Sequence, residues 1–246
     1  MNVFLQMHDP RRTLSFPTML NARDLGGYPT SDGAQTRWRS VLRADDPAQL
    51  TAEGLASLGR YGIASVVDLR WPEEVAASPN PLPRALLHVH FHHISLLTQS
   101  AHRWGALSGE GPKEMWKCKV LEHVRPQLCE VLRTIAAAPA GPLLFHCVAG
   151  KDRTGIVAAL LLALADVVPD AIAYDYAVSA ENLRAAYLQR YANRDRAEIL
   201  EAVRCPPQGA HNMLQFLERC GGIRAYLGQI GLAEAEVAQL RERLRD

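Results

Sequence analysis

Residues 142–161 constrain this chain more than any other stretch. Pro142-Leu143-Leu144-Phe145-His146-Cys147 is an apolar run of strand length, and Thr154-Gly155-Ile156-Val157-Ala158-Ala159-Leu160-Leu161 is an apolar run of helical character. Only Val148 to Arg153 separates them, so a buried strand must pass through one tight loop directly into a buried helix. In that arrangement the backbone N–H groups of the loop converge on a point at the helix N-terminus, where the field is positive. Such a point holds an anion of phosphate size.

The side chains fit the same reading. Cys147 opens the loop and Arg153 closes it, with five residues between them. A planar guanidinium there can bond two oxygens of one anion, and the loop N–H groups with Arg153 suit a thiolate. Gly150 allows a turn that a side chain would obstruct. Thr154 is placed to hydrogen-bond the sulfur, and His146 to orient the loop. A lone cysteine at a strand end is usually a small core hydrophobe; with Gly150, Arg153 and Thr154 around it, Cys147 reads as a nucleophile. A nucleotide-binding loop is excluded, because Phe145 stands where its leading glycine belongs and Asp152 where its Ser/Thr belongs. The candidate phosphate-binding set is Val148, Ala149, Gly150, Lys151, Asp152, Arg153 and Thr154; the candidate catalytic set is Cys147, Arg153 and Asp152.

Outside this segment, strands are predicted at 18–21, 40–43, 64–69 and 87–94, each a short apolar or β-branched run near turn residues, with a fifth at 142–147. A helix is predicted over 51–61, capped by Thr51 and ended by Gly62. Helical spacing returns over 113–138, where Pro126 must kink or divide it, and continues almost unbroken from 154 to the end. Residues 95–112 read as a long surface loop. Strands alternating with helices and a helical second half predict an α/β fold, a central mostly parallel sheet flanked by helices, in one domain over 1–246 with its core at about 15–245.

With 27 Lys and Arg against 26 Asp and Glu, the chain lacks the basic field of a nucleic-acid binder. No secretory signal is visible, and the longest apolar run, 156–165, is too short to span a bilayer, which takes roughly 20 residues. The five cysteines are scattered with no C-x-x-C pair. A soluble cytoplasmic protein with a free thiol is expected.

His146-Cys147-Val148-Ala149-Gly150-Lys151-Asp152-Arg153-Thr154-Gly155 resembles the signature of the protein tyrosine phosphatase superfamily, in the form of its bacterial and fungal branch. Asn21-Ala22-Arg23-Asp24-Leu25-Gly26-Gly27, Val67-Asp68-Leu69-Arg70 and Gly221-Gly222-Ile223-Arg224-Ala225-Tyr226-Leu227 are similar to further stretches of that branch. The resemblance implies the phosphotyrosine-phosphatase fold and a cofactor-free, metal-free phosphomonoester hydrolase working through a phosphocysteine on Cys147. Its substrates would be phosphoproteins, phosphotyrosine first with dual specificity allowed, or phosphoinositides. A Lys at the place of Lys151 accompanies phosphoinositide substrates in related loops; a solvated surface lysine is the alternative.

Many members donate the leaving-group proton from an Asp on a mobile loop before the cysteine, but residues 95–142 contain no Asp. Asp152 is the first candidate, against a role as loop cap or ion-pair partner, and Asp68 the second. Trp71-Pro72-Glu73 resembles an acid loop but lies too early, and reads as coincidence. Two other classes of function stand beside the enzyme: a phosphate-reading module without turnover, and a thiol redox enzyme for which Cys118 or Cys129 would have to approach Cys147. His88, His90 and His92 share one strand face, read as its polar side rather than as a metal site. Arg23 and Asp24 read as structural.

Overall fold

The computed structural model describes residues 6–97 and 115–245. Five strands, β1 (Arg23–Asp24), β2 (Val41–Ala44), β3 (Ser65–Asp68), β4 (His90–His93) and β5 (Leu143–His146), form one sheet in the order β1-β2-β5-β3-β4. Only the β1–β2 pair is antiparallel; β2, β5, β3 and β4 run parallel. The α/β expectation with a mostly parallel sheet holds.

Side chains alternate across the three central strands, as a two-residue repeat requires. Leu42, Ala44, Val66 and Leu144 enter a smaller core with Leu58, Ile63 and Leu82. That core is covered by α1 (Ala52–Tyr61) and α3 (Leu82–Ala85), with the short α2 (Pro72–Ala77) between them in sequence. Val41, Val67, Leu143 and Phe145 face the larger core on the other side. This side carries α4 (Trp116–His123), α5 (Arg125–Ala137), α6 (Asp152–Leu164), α7 (Pro169–Arg190), α8 (Arg196–Val203), α9 (Gln208–Arg219), α10 (Ile223–Gln229) and α11 (Glu234–Leu244).

Helix α6 is the helix that the opening motif demands. Ten of its thirteen residues are buried, including Ile156, Val157, Leu160, Leu161, Leu162 and Leu164. Each such large side chain contributes about 1.5–3 kcal/mol by leaving water. Beyond its first turn the helix carries no charged side chain; packing fixes it, against β2, β5 and α7.

Two local expectations are corrected. Residues 18–21 form a turn, not a strand: Thr18 has a left-handed backbone (φ 73°), and the N–H groups of Leu20 and Asn21 donate to Asp45 rather than to a ladder. The helical stretch of 113–138 is two helices that break at Val124. Pro126 sits in the first turn of α5, where its missing N–H is not needed. Most of the predicted 95–112 loop lies outside the described residues.

Candidate active site

Three parallel strands deliver the site from their carboxyl ends, where ligands of open α/β sheets bind. β5 ends at His146 and passes to Cys147, β2 passes to Asp45 and Asp46, and β3 ends at Asp68 and passes to Leu69 and Arg70. Cys147 is 3% exposed.

The loop after Cys147 is shaped from outside, through its carbonyls. The Val148 carbonyl accepts from the Asp46 N–H at 3.0 Å. Asn21 Nδ2 donates to the carbonyls of Ala149 and Gly150 at 3.0 and 3.1 Å, and Arg43 Nη2 donates to Gly150 at 2.7 Å. With its carbonyls drawn outward, the loop turns its N–H groups inward. Among the described residues, no N–H of 148–153 is donated to another backbone or side-chain group outside regular helix bonding. Gly150 makes the turn possible: its φ is +62°, and a Cβ there would lie 2.4 Å from the Ala44 carbonyl oxygen.

These props are themselves locked. Arg43 and Arg23 both reach Asp175 on α7, at 2.5 and 2.8 Å, all three side chains at most 3% exposed. Tyr28 donates to the same carboxylate, and Arg23 also holds Asn21 Oδ1 at 2.6 Å. Burial alone would raise the Asp175 carboxyl, but the two guanidinium groups outweigh it and hold it down at about 2. Arg23 is therefore structural, as read from the sequence. So is Asp24, which accepts the N–H groups of Gly26 and Arg39.

His146 is fully buried beneath the cysteine. Leu82 N–H donates to Asn80 Oδ1, which turns the Asn80 amide nitrogen toward His146 Nε2 at 3.0 Å. Nε2 is thus the acceptor, and Nδ1 carries the proton that it donates to the Cys147 carbonyl at 3.2 Å. Burial pushes the imidazole below its ordinary value. A neutral ring in a fixed tautomer orients the loop, as expected.

Arg153 projects from the first turn of α6. Its Nη1 and Nη2 bond the two oxygens of Glu74 at 2.5 and 2.9 Å, and its guanidinium lies 5.4 Å from the Trp71 ring. Trp71-Pro72-Glu73 is therefore no acid loop, yet its neighbourhood is no coincidence either, since the next residue holds the loop arginine. No motif in the sequence marked Glu74. The end-on grip leaves Nε–H and the inner N–H of Nη2 as a two-donor edge.

The two acid candidates part company. Asp68 is fully buried, with both oxygens on Arg70 at 2.7–3.1 Å. Burial pushes its carboxyl up, but the hydrogen bonds and charge of Arg70 prevail and hold it down at about 2. It has neither a proton nor reach. Asp152 lies in the loop with 39% of its side chain exposed. Its Oδ1 faces Lys117 Nζ at 3.3 Å and the Tyr176 hydroxyl at 3.3 Å, and its Oδ2 faces Lys151 Nζ at 3.4 Å. Burial raises this carboxyl, and the two ammonium groups more than reverse that, so it lies below its ordinary value. Lys151 itself is no freely solvated surface lysine: its Nζ also donates to the Ala202 carbonyl at the end of α8, at 2.6 Å. Thr154 Oγ1 is buried with no hydrogen-bond partner among the described residues.

A cleft of about 380 Å³ opens beside Val148 and Ala149. Asp45 and Asp46 line one side, and Leu183, Tyr187, Arg190 and Tyr191 of α7 and its end line the other. Val148 is 40% exposed into this surroundings of mixed character. The alternative functions find less support. Cys118, Cys129, Cys147, Cys205 and Cys220 are all free. His90 and His92 line a separate groove with Arg133, and among the described residues no three metal-ligating side chains are gathered. Nor, among those residues, is any helix long and apolar enough to cross a membrane.

Known proteins match along most of the chain. A family model described as "tyrosine phosphatase family" matches residues 14–246. A tyrosine-protein phosphatase of Nostoc commune is 33% identical over 83% of this chain and 74% of its own length. The triple specificity protein phosphatase PtpB of Mycobacterium tuberculosis is 27% identical over 92% of this chain and 96% of its own. The crystal structure of TpbA from P. aeruginosa overlaps 79% of this chain and 98% of its own, with 18% identity and a TM-score of 0.41. The sequence matches carry the assignment: this chain belongs to the tyrosine phosphatase family and is a cysteine-dependent phosphatase.

Proposed function

We propose that the chain hydrolyses phosphotyrosine in proteins, with Cys147 as nucleophile, Arg153 and the N–H groups of 148–154 as the phosphoryl cradle, and Asp152 as the group that moves the proton. The observation that carries this is the outward capture of the loop carbonyls by Asn21, Arg43 and Asp46, with Arg153 aligned by Glu74. Donors fixed before the substrate arrives need no reorganisation as charge develops on the equatorial oxygens.

In the first step the Cys147 sulfur bonds to phosphorus as the bond to the tyrosyl oxygen breaks, and that oxygen takes the Asp152 proton. In the second, water attacks phosphorus and gives a proton back to Asp152, while the sulfur leaves as thiolate. The unpartnered Thr154 hydroxyl supplies a hydrogen bond to that leaving sulfur. Lys117 and Lys151 keep Asp152 ionised; a phosphoryl dianion in the cradle adds opposing charge, raises the carboxyl and draws in the proton.

Tyr187 and Tyr191, packed edge to face at 5.6 Å beside the cleft, favour an aryl phosphate. The binding of Lys151 to Ala202 and Asp152 favours phosphotyrosine over a phosphoinositide, and the name of the mycobacterial relative supports a wider protein specificity. A reducing cytoplasmic setting fits the free thiols.

The test is turnover of a phosphotyrosine peptide, phosphoserine and phosphothreonine peptides and phosphoinositides, by wild type, Cys147→Ser and Asp152→Asn. Phosphotyrosine should lead, Cys147→Ser should be inert, and Asp152→Asn should lose most on the poorest leaving group. Full activity of Asp152→Asn on an alkyl phosphate refutes its role, and preference for phosphoinositide refutes the substrate.

A further inference from the structure

Lysine is among the residues least often buried, because an ammonium loses its hydration there unless a partner compensates. Lys117 is buried, with 5% of its surface exposed. It lies in the first turn of α4, its Nζ 4.6 Å over the Tyr176 ring and 6.0 Å from the Trp116 ring. Helix α9 closes on it as well: a Cβ at Gly209 would come within 3.7 Å of Nζ. Its carboxylate partner among the described residues is Asp152, at 3.3 Å. A helix far from the loop in sequence thus inserts one charge through an aromatic box onto one oxygen of the loop carboxylate.

The construction is asymmetric. Lys151, on the loop itself, meets Oδ2 and shares its ammonium with the Ala202 carbonyl. Lys117 and the Tyr176 hydroxyl both meet Oδ1, so they fix the carboxylate plane while 39% of the side chain stays open. One further charge bears on the group, Arg153 beside it in the chain, and the neutral Cys205 thiol, pushed up by burial, faces it from the segment after α8. Lys117 is the buried cation in this set that does not belong to the loop. Its removal changes the field at Asp152 without changing the cradle.

Resting on the reading of Asp152 as the proton-transfer group, we propose that Lys117 is a positioning residue for Asp152, holding the plane of its carboxyl and setting the pH range over which it carries the leaving-group proton. A cation at 3–4 Å favours the ionised carboxyl. Its loss lets the proton stay on to higher pH.

The experiment is the kcat–pH profile on an alkyl phosphate for wild type, Lys117→Met and Lys117→Arg, with Lys117→Met repeated in an Asp152→Asn background. The basic limb should move up by about 0.5–1 pH unit in Lys117→Met, by loss of one nearby opposite charge, and return in Lys117→Arg. In the Asp152→Asn background, Lys117→Met should change kcat less than twofold. An unmoved limb, or an equal loss in both backgrounds, overturns the proposal and leaves Lys117 a packing residue. If Asp152→Asn alone matches wild type, the reading of Asp152 fails instead, and the two failures are told apart. Should Lys117→Met not fold, Lys117→Gln replaces it under the same two criteria.

Discussion

Glu74 grips Arg153 end-on through both η nitrogens, at 2.5 and 2.9 Å, from a helix 79 residues earlier in the chain. The side edge of Arg153, the proposed donor to the phosphoryl oxygens, stays clear of this grip, so Glu74 sets the angle at which that edge is presented. Glu74→Ala should lower kcat/KM by about 10- to 100-fold, less than the roughly 100- to 1,000-fold seen when an oriented donor is removed outright, because Arg153 itself remains. Glu74→Gln, which keeps one bond, should fall between. Steady-state kinetics on an aryl phosphate read both, and equal activity of all three proteins would show that the grip has no catalytic weight.

Cys147→Ser removes the proposed nucleophile while leaving the cradle intact, because the carbonyls of Val148, Ala149 and Gly150 are held by groups other than the thiol. Turnover should be abolished and binding of a phosphotyrosine peptide retained. Calorimetric titration of the variant checks this; loss of binding would mean that the sulfur shapes the loop.

Gly150→Ala places a methyl 2.4 Å from the Ala44 carbonyl oxygen at a left-handed φ of +62°. Something must shift, and the cost should be about 1–3 kcal/mol. A denaturant titration and an activity assay should show both stability and turnover falling. A variant as stable as wild type would place the loop farther from β2.

Stability should fall on acidification in two stages. His146 is pushed below its ordinary value by burial, so the unfolded chain binds its proton first, and stability is lost as pH drops through the unfolded value of about 6.5. Asp68 and Asp175, held at about 2, retain their contribution above the ordinary carboxylate range and lose it as pH falls from roughly 4 toward 2. Asp24 and Asp45, which burial pushes up, act in the opposite sense and blunt the second stage. Denaturation midpoints across pH 8 to 3 measure this, with His146→Gln expected to flatten the first stage. A flat wild-type curve from pH 7.5 to 5 would contradict the neutral buried ring.

What the sequence revealed about the site was what lies next to itself in the chain. Cys147, Gly150, Arg153 and Thr154 fall within eight residues of one strand–loop–helix passage, and the apolar runs on either side fix their setting. Glu74, Lys117 and Arg43 reach the same loop from three other elements and Asp175 locks Arg43 from a fourth, and nothing in their local pattern distinguishes them from surface charges. Lys151 was legible as a charge at the loop but not in its direction, which the end of α8 decides. The turn at 18–21 was hidden for a related reason. Its apolar Met19 is buried as a strand residue would be, while the backbone hydrogen bonds go to a carboxylate 24–25 residues away. Periodicity reports burial, and burial does not require a ladder.

The capture of the Gly150 carbonyl by Asn21, 129 residues earlier, bears on how the protein comes to be active. The loop after Cys147 cannot take its working shape from its own neighbours; it waits for chain closures of more than 100 residues, which are slow to form. In a refolding experiment helical signal should therefore return before phosphatase activity. During synthesis Asn21 and Arg43 leave the ribosome well ahead of Cys147, but Asp175, which locks Arg43 and Arg23, leaves after it, so catalytic competence arrives as a late event in the life of each new molecule.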